Sequence, residues 1–315
     1  MSTDILEQDV LTEYDYVPDI EIELDEASTE FVAELCTKLV AFTEEFCAVE
    51  FFPYQVPIAY RFIESVVIGD GEELTLIATR QSGKSEVLSN VIASMMVILP
   101  KLAKVYPLWL SKFSKGFWCG VFAPTEDQAD TVFSRIVSRL TSDHAMSFLL
   151  DPEIDDKATS GGARGKGKIV TLKNAGSLCR MQTCNPKAKI ESKTYHFAVV
   201  DEAQGADEFV IAKSIKPMLA FNNGTIVLTG TATRTKSYFY KMIQYNKRRE
   251  ANKVRGQRTP HFEYDWRVAA KYNSNYGKFI SKEKVRIGED SDEFQMSYCN
   301  KWLLEKGMFV TEERL

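Results

Sequence analysis

Lys84 and Ser85 close the octapeptide Ala78-Thr79-Arg80-Gln81-Ser82-Gly83-Lys84-Ser85, which follows directly on the apolar run Leu74-Thr75-Leu76-Ile77. A strand that ends in such a loop and passes into a helix turns successive backbone N–H groups, and the positive end of the helix, towards one point that suits a phosphate chain. There Lys84 would reach the β- and γ-phosphates and Ser85 would ligate Mg2+. Ala78 stands where a first glycine is usual, so Gly-Lys-Ser alone also fits an ordinary strand-to-helix turn with a surface lysine. The continuation favours the phosphate reading. Glu86 to Val97 is largely apolar and free of proline, as expected of a helix packed under a sheet.

Far along the chain, His196-Phe197-Ala198-Val199-Val200-Asp201-Glu202-Ala203-Gln204 runs four apolar residues into two adjacent carboxylates, a Walker B pattern. A buried parallel strand is apolar on both faces, and carboxylates at its C-terminal end emerge where α/β sheets hold ligands. Asp201 would join the Mg2+ shell, while Glu202 would orient and deprotonate an attacking water. Two separate carboxylates point to hydrolysis rather than to nucleotide binding alone.

The elements that must position these groups alternate. Residues 30–50 read as an amphipathic helix, with Phe31, Leu35, Leu39, Phe42 and Phe46 at helical spacing. A second helix is expected from Pro57 to Val67, then strand 74–78, the loop and helix 86–99. Phe117 to Ala123 reads as a buried strand, and Thr125 can cap a helix running to about Leu140, with Gln128 three residues on. Ile169–Leu172 and Leu178–Gln182 flank the turn Asn174-Ala175-Gly176-Ser177 as a hairpin. The carboxylate strand follows, then a helix over about 205–219 and a core strand from Thr225 to Thr231. Alternating strands and helices imply a parallel sheet. Beyond Arg234 the pattern changes to a helix over 236–251, a strand near His261–Trp266, and helices around 267–273 and 292–305. The expected organisation is therefore an acidic tail over 1–29, an ATPase core over 30–234, and a small lid or linker subdomain over 235–315.

The chain of 315 residues has a net charge of -5, but residues 1–29 hold ten acids and no lysine or arginine, leaving the rest basic. Such a tail suits a disordered or partner-binding arm. Residues 157–193 carry nine Lys/Arg against Glu191, and residues 234–258 nine more against Glu250. Clusters of this kind suit a phosphate backbone, and equally a solvated face, since neither interleaves the aromatics of a base-stacking surface. The six scattered cysteines lack C-x2-C spacing, which argues against a zinc site or a disulfide framework. No apolar run is long enough to span a bilayer and the N-terminus has no signal-peptide pattern, so no membrane role is expected and the cytoplasm is the expected location.

Taken together, these motifs resemble the N-terminal ATPase domain of the large terminase subunit of tailed bacteriophages, the motor that packages DNA into a prohead. The resemblance spans roughly residues 50–310. It rests on Pro53-Tyr54-Gln55, Arg80 within the phosphate loop, Phe122-Ala123-Pro124-Thr125 with Gln128-Ala129, Asp201-Glu202-Ala203-Gln204, Leu228-Thr229-Gly230-Thr231, and Glu293-Phe294-Gln295 to Trp302. It implies an α/β P-loop NTPase of the ASCE/RecA-like type, with a mainly parallel sheet flanked by helices. It also implies that ATP and Mg2+ are bound and that ATP is hydrolysed to ADP and phosphate to translocate double-stranded DNA. On the resemblance, Gln55 reads the adenine edge, Arg80 contacts phosphates in cis, and Thr229, Gly230 and Thr231 couple hydrolysis to subdomain movement. Plain rivals are a helix cap for Gln55, a surface charge for Arg80 and a strand-end turn for Thr229 to Thr231. The implied partners are the portal protein and prohead, the small terminase subunit, and further copies in a homo-oligomeric ring, a pentamer when active.

Two departures matter. Many terminases carry Arg-Gly shortly before the Walker B strand, from which an arginine reaches a neighbour's γ-phosphate, whereas this chain has Glu191-Ser192-Lys193. Arg164, Arg180, Arg234 and Lys193 are left as candidates for that trans role, with Arg164 in the glycine-rich stretch best able to extend. Large terminases also usually continue into an RNase H-like nuclease that cuts DNA with two metals held by several carboxylates, whereas only five residues follow the close of the resemblance, so a motor domain without its cutter is expected. The alternatives are a superfamily 2 helicase-like translocase, which would need a second RecA-like lobe after Thr231, and an ATP-binding switch or adaptor that does not hydrolyse. A GTPase is disfavoured by the lack of an Asn/Thr-Lys-x-Asp box.

Overall fold

The structure is a computed structural model, and it describes residues 24–148, 154–157, 168–186, 194–254 and 257–303. The chain begins with α1 (Glu26–Cys47), capped by Asp25 and ended by left-handed Ala48, and α2 (Val56–Ile68). β1 (Glu73–Ala78) leads into α3 (Lys84–Val105), followed by the short α4 (Pro107–Leu110), β2 (Trp118–Ala123), α5 (Glu126–Leu140) and α6 (Asp143–Phe148). β3 (Ile154–Lys157), β4 (Ile169–Leu172), β5 (Ser177–Thr183) and β6 (Phe197–Val200) come next. A broken helical stretch then holds α7 (Glu208–Val210) and α8 (Pro217–Ala220) before β7 (Thr225–Gly230). The chain closes with α9 (Tyr238–Ala251), β8 (His261–Tyr264), α10 (Trp266–Tyr272), α11 (Ser274–Ile287) and α12 (Asp292–Cys299).

The eight strands among the described residues form one sheet in the order β3-β4-β5-β2-β6-β7-β1-β8. From β5 to β8 every pairing is parallel, and β4 and β3 add an antiparallel edge. Side chains alternate between two cores, as the pleat requires. Leu74, Leu76, Cys119, Val121, Phe197 and Val199 face α1, α2, α3 and α5, whereas Ile77, Phe122, Ala198, Val200 and Leu228 face the 203–220 stretch and α9. A third, smaller cluster joins Tyr54 to Tyr276, Ile280, Phe294 and Tyr298.

The mainly parallel α/β sheet flanked by helices is therefore present as read, and Thr125 with Gln128 forms the anticipated capping box. Three features differ. The helix expected over about 205–219 is irregular, because Pro217 brings no N–H to the ladder and the preceding turn widens so that Lys216 N–H donates to Ile211 O at 3.0 Å. The strand near 261–266 was expected within a separate subdomain; instead β8 pairs in parallel with β1 and extends the main sheet. α11 is an additional helix, largely polar, held down by Tyr276 and Ile280. α3 is apolar and long enough to cross a bilayer, yet its residues are mostly buried against the sheet and neighbouring helices.

Candidate nucleotide site

β1 delivers the loop to the C-terminal edge of the sheet, where the backbone turns through Gln81 (φ 60) and Gly83 (φ 84) before α3 begins. Gly83 has two reasons to be glycine: its φ is left-handed, and a Cβ there would lie 2.4 Å from Gln55 Nε2. Lys84 Nζ folds back over the loop and donates to Ala78 O at 2.7 Å and Thr79 O at 3.3 Å. Burial holds the Lys84 pKa below the ordinary lysine value, while Asp201 and Glu202 pull it upward.

β6 delivers the carboxylates. It is separated from β1 by β7, yet Ser85 Oγ donates to Asp201 Oδ2 at 3.3 Å. Two segments far apart in sequence therefore meet at one point, with Lys84 between them electrostatically. Burial pushes the Asp201 carboxyl up to about 6, Glu202 adds to the rise, and Lys84 opposes it. Glu202 is left-handed (φ 51), and its N–H donates to Asp201 Oδ1 at 3.0 Å. A side chain in that conformation is costly and concentrates at functional sites.

Gln204 joins the carboxylate turn to the end of β7. Its Nε2 donates to the Glu202 carboxylate and, at 3.4 Å, to Thr231 Oγ1, while its Oε1 accepts the Thr231 N–H at 3.2 Å. Gly230 is glycine because a Cβ would lie 2.0 Å from Gln204 Oε1. Thr229 is fully buried with its Oγ1 unpartnered. Thr229, Gly230 and Thr231 thus lie against the carboxylate turn, through a glutamine whose place in the motif was read but whose contacts were not.

The other side of the loop is held by the C-terminal helices. The Tyr276 hydroxyl of α11 lies 2.9 Å from Thr79 Oγ1 and donates to Arg80 O at 2.9 Å, while Ser297 O of α12 accepts from Thr79 Oγ1 at 3.1 Å. Tyr54 O–H donates to Ser82 O at 2.7 Å. Arg80 itself is exposed. Gln55 is buried with both ends of its amide engaged: Oε1 accepts from Phe52 N–H at 2.9 Å and Nε2 donates to Ser82 O at 3.4 Å. A cavity of about 350 Å3 opens beside this wall, bounded by Phe52, Tyr54, Gln55, Ser82, Asn90 and Tyr276 among others.

Of the trans candidates, Arg164 and Lys193 lie outside the described residues. Arg180 sits mid-strand in β5 opposite Gly120, with its Nε buried, and Arg234 is exposed and paired with Asp292 at 2.6 Å. Neither is among the groups gathered around Lys84. The basic stretch 234–258 is largely neutralised within the molecule: Arg234, Lys241, Lys247, Arg249, Lys253 and Arg258 each pair with a carboxylate. Its charge serves α9 and its neighbours first.

A parallel sheet carrying a phosphate loop on one strand, with the paired carboxylates two strands away, defines the class: the fold is that of a P-loop ATPase domain. No family model matches the sequence, and no curated protein matches it. Among solved structures, the chain is similar to the large terminase ATPase domain of a Thermus phage, P74-26, at 20% identity and TM-score 0.54, covering 82% of this chain and 96% of that one. A mutant of that domain gives 19% identity and TM-score 0.55, covering 82% and 97%. The large terminase of a thermophilic bacteriophage gives 12% identity and TM-score 0.53, covering 81% of this chain and 54% of that one, so this chain spans about half of that protein's length. The fold is that of phage large terminase ATPase domains.

Proposed function

We propose that this chain is the ATPase motor domain of a DNA-packaging terminase, hydrolysing ATP to move double-stranded DNA into a prohead. The observation that carries the reading is the 3.3 Å contact between Ser85 and Asp201, which brings phosphate loop and paired carboxylates to one point. The residues suit Mg2+. A hydroxyl and a carboxylate offer hard oxygen donors, and few protein ligands are what that ion takes beside phosphates; the raised Asp201 pKa marks a carboxylate short of positive charge. Bound there by Ser85 and Asp201, Mg2+ would neutralise charge on the β- and γ-phosphates.

The chain's own groups supply the rest. Lys84 exchanges its bonds to Ala78 O and Thr79 O for phosphate oxygens, and the loop N–H groups hold the chain of phosphates. Glu202 orients a water in line with the γ-phosphorus and accepts its proton as the P–O bond to ADP breaks, giving ADP and phosphate. Arg80 is proposed to contact phosphates in cis. A neighbouring subunit in a homo-oligomeric ring supplies a further arginine, a contribution worth about 10³–10⁵ in rate. The proposed partners are DNA, the portal and prohead, and the small terminase subunit.

The test is Glu202→Gln assayed for ATP binding and turnover, alone and with portal-bearing proheads and DNA. Binding should persist while turnover falls about 10²–10⁴-fold, the range of a general base, and the wild type should be accelerated by proheads. Unchanged turnover in the variant would defeat the catalytic assignment and favour a nucleotide-binding switch.

A further inference from the structure

Asn90 lines the cavity beside the phosphate loop, and its side chain carries a buried donor without a partner. Asn90, in the second turn of α3, is completely buried, and its Nδ2 has no hydrogen-bond partner. The orientation of its amide is fixed by chemistry. Arg139 Nε donates to Asn90 Oδ1 at 2.9 Å, and a guanidinium has only donors, so the amide oxygen must face Arg139 and the NH2 must face away. Arg139 is itself held by Glu86, a carboxylate on the cavity wall that also receives Arg135 at 2.6 Å, so the orientation is braced. Ser82 Oγ, on the loop wall of the same cavity, is a second buried polar atom without a partner.

Gln55 is in the opposite condition. Phe52 N–H fixes its oxygen and Ser82 O accepts one N–H of its nitrogen at 3.4 Å, so its amide is turned to the loop. One wall is aromatic: Phe52 and Tyr54 stack at 5.9 Å with an interplanar angle of 10°. A volume of about 350 Å3 lies within the range of small-ligand sites, and the rings share the lining with polar residues that include Glu50, Gln81, Glu86 and Asn273.

We propose that this cavity takes the purine base of the nucleotide and that Asn90 Nδ2, rather than Gln55, donates to a ring nitrogen of that base. The inference rests on the nucleotide reading above and assigns the base-recognising group within it. Asn90 is then a specificity-determining residue one helical turn beyond the phosphate-binding end of α3, so one helix holds phosphates at its N-terminus and reads the base from its flank.

The experiment measures dissociation constants for ATP, its 1-deaza, 3-deaza and 7-deaza analogues, and inorganic tripolyphosphate, on wild type and on Asn90→Leu. One deaza analogue should bind the wild type at least ten-fold more weakly than ATP. That difference should vanish in Asn90→Leu, whose affinity for tripolyphosphate should stay within two-fold of wild type. Equal binding of ATP and all three analogues by the wild type overturns the inference without needing any variant to fold, and is also the outcome if a buried water satisfies Asn90. A deaza penalty that persists in Asn90→Leu, or a matching loss of tripolyphosphate binding, overturns it too. If the wild type binds neither ATP nor tripolyphosphate, the nucleotide reading itself fails; if it binds both and the analogues are alike, only the role of Asn90 falls.

Discussion

Gln204 has both ends of its amide in use, one on the Glu202 carboxylate and one on the Thr231 backbone. It touches neither the loop nor Lys84, so its loss should disturb the orientation of Glu202 and leave phosphate binding alone. Gln204→Leu is expected to lower kcat about ten-fold, a cost of ~1.4 kcal/mol in transition-state stabilisation, with KM for ATP little changed. Gly230→Ala should reproduce that pattern from the other side, because its Cβ would collide with Gln204 Oε1. Steady-state kinetics of both variants check the idea; a rise in KM at constant kcat would place Gln204 in binding instead. Residues of this kind explain what could be read from sequence and what could not. Lys84, Ser85, Asp201 and Glu202 were legible because each sits in a short run whose neighbours state its setting. Gln204 was visible only as a letter of its motif, and the contacts of Asn90 and Tyr276 not at all, because they are made with residues far off in sequence.

At the scale of elements, His196 shows how β2 and β6 are tied to the segment after α4. Its Nδ1 accepts the Trp118 N–H at 3.0 Å, and its Nε2 lies 3.2 Å from Lys112 O, which can only accept, so the ring is the neutral Nε2–H tautomer. Burial among Phe113, Phe117 and Trp118 is the main reason its pKa is held down to about 4, against the opposing pull of the hydrogen bond to Lys112 O, while the Lys112 charge lowers it further. The unfolded chain takes up a proton near 6.5, whereas the folded chain resists until about 4. The stability that neutral His196 contributes is therefore whole above pH 6.5 and drains away as pH falls towards 4, by about 3 kcal/mol in all. Urea unfolding at pH 7 and pH 4.5 should show His196→Gln losing less stability on acidification than wild type, even if it starts lower. Equal losses would show that His196 does not titrate as the fold requires. Core strands such as β1, β2 and β6 were legible because their apolar runs are unbroken. The 203–220 stretch was not, because Pro217 rather than the apolar pattern decides its geometry, and α11 hid because only Tyr276 and Ile280 of its residues are buried.

For the molecule as a whole, the arrangement of β8 and α10–α12 matters more than the break in pattern at Arg234. β8 pairs with β1 along Thr75 to Ala78, and Thr79 N–H donates to Tyr264 O at 3.2 Å, so the strand that carries the phosphate loop is flanked by the segment that leads into the C-terminal helices. Those helices then close on the loop through Tyr276 and Ser297, at Thr79 and Arg80. Bonds to backbone and to a buried threonine are short-range, so a loop that tightens around phosphates must either carry α11 and α12 with it or break them. A nucleotide that orders the loop should for that reason slow amide hydrogen exchange in α11 and α12, which it need not touch, since protection there reports local opening. Tyr276→Phe keeps the ring in its cluster with Ile280, Phe294 and Tyr298 but removes the hydroxyl that lies on Thr79 and Arg80. The expected outcome is protection of α11 and α12 by a non-hydrolysable ATP analogue in the wild type, reduced by at least half in Tyr276→Phe, with Tyr298→Phe as a control because its hydroxyl faces Glu283 at 3.5 Å and not the loop. Protection that is equal in all three proteins would mean that the loop and the C-terminal helices are neighbours without being coupled.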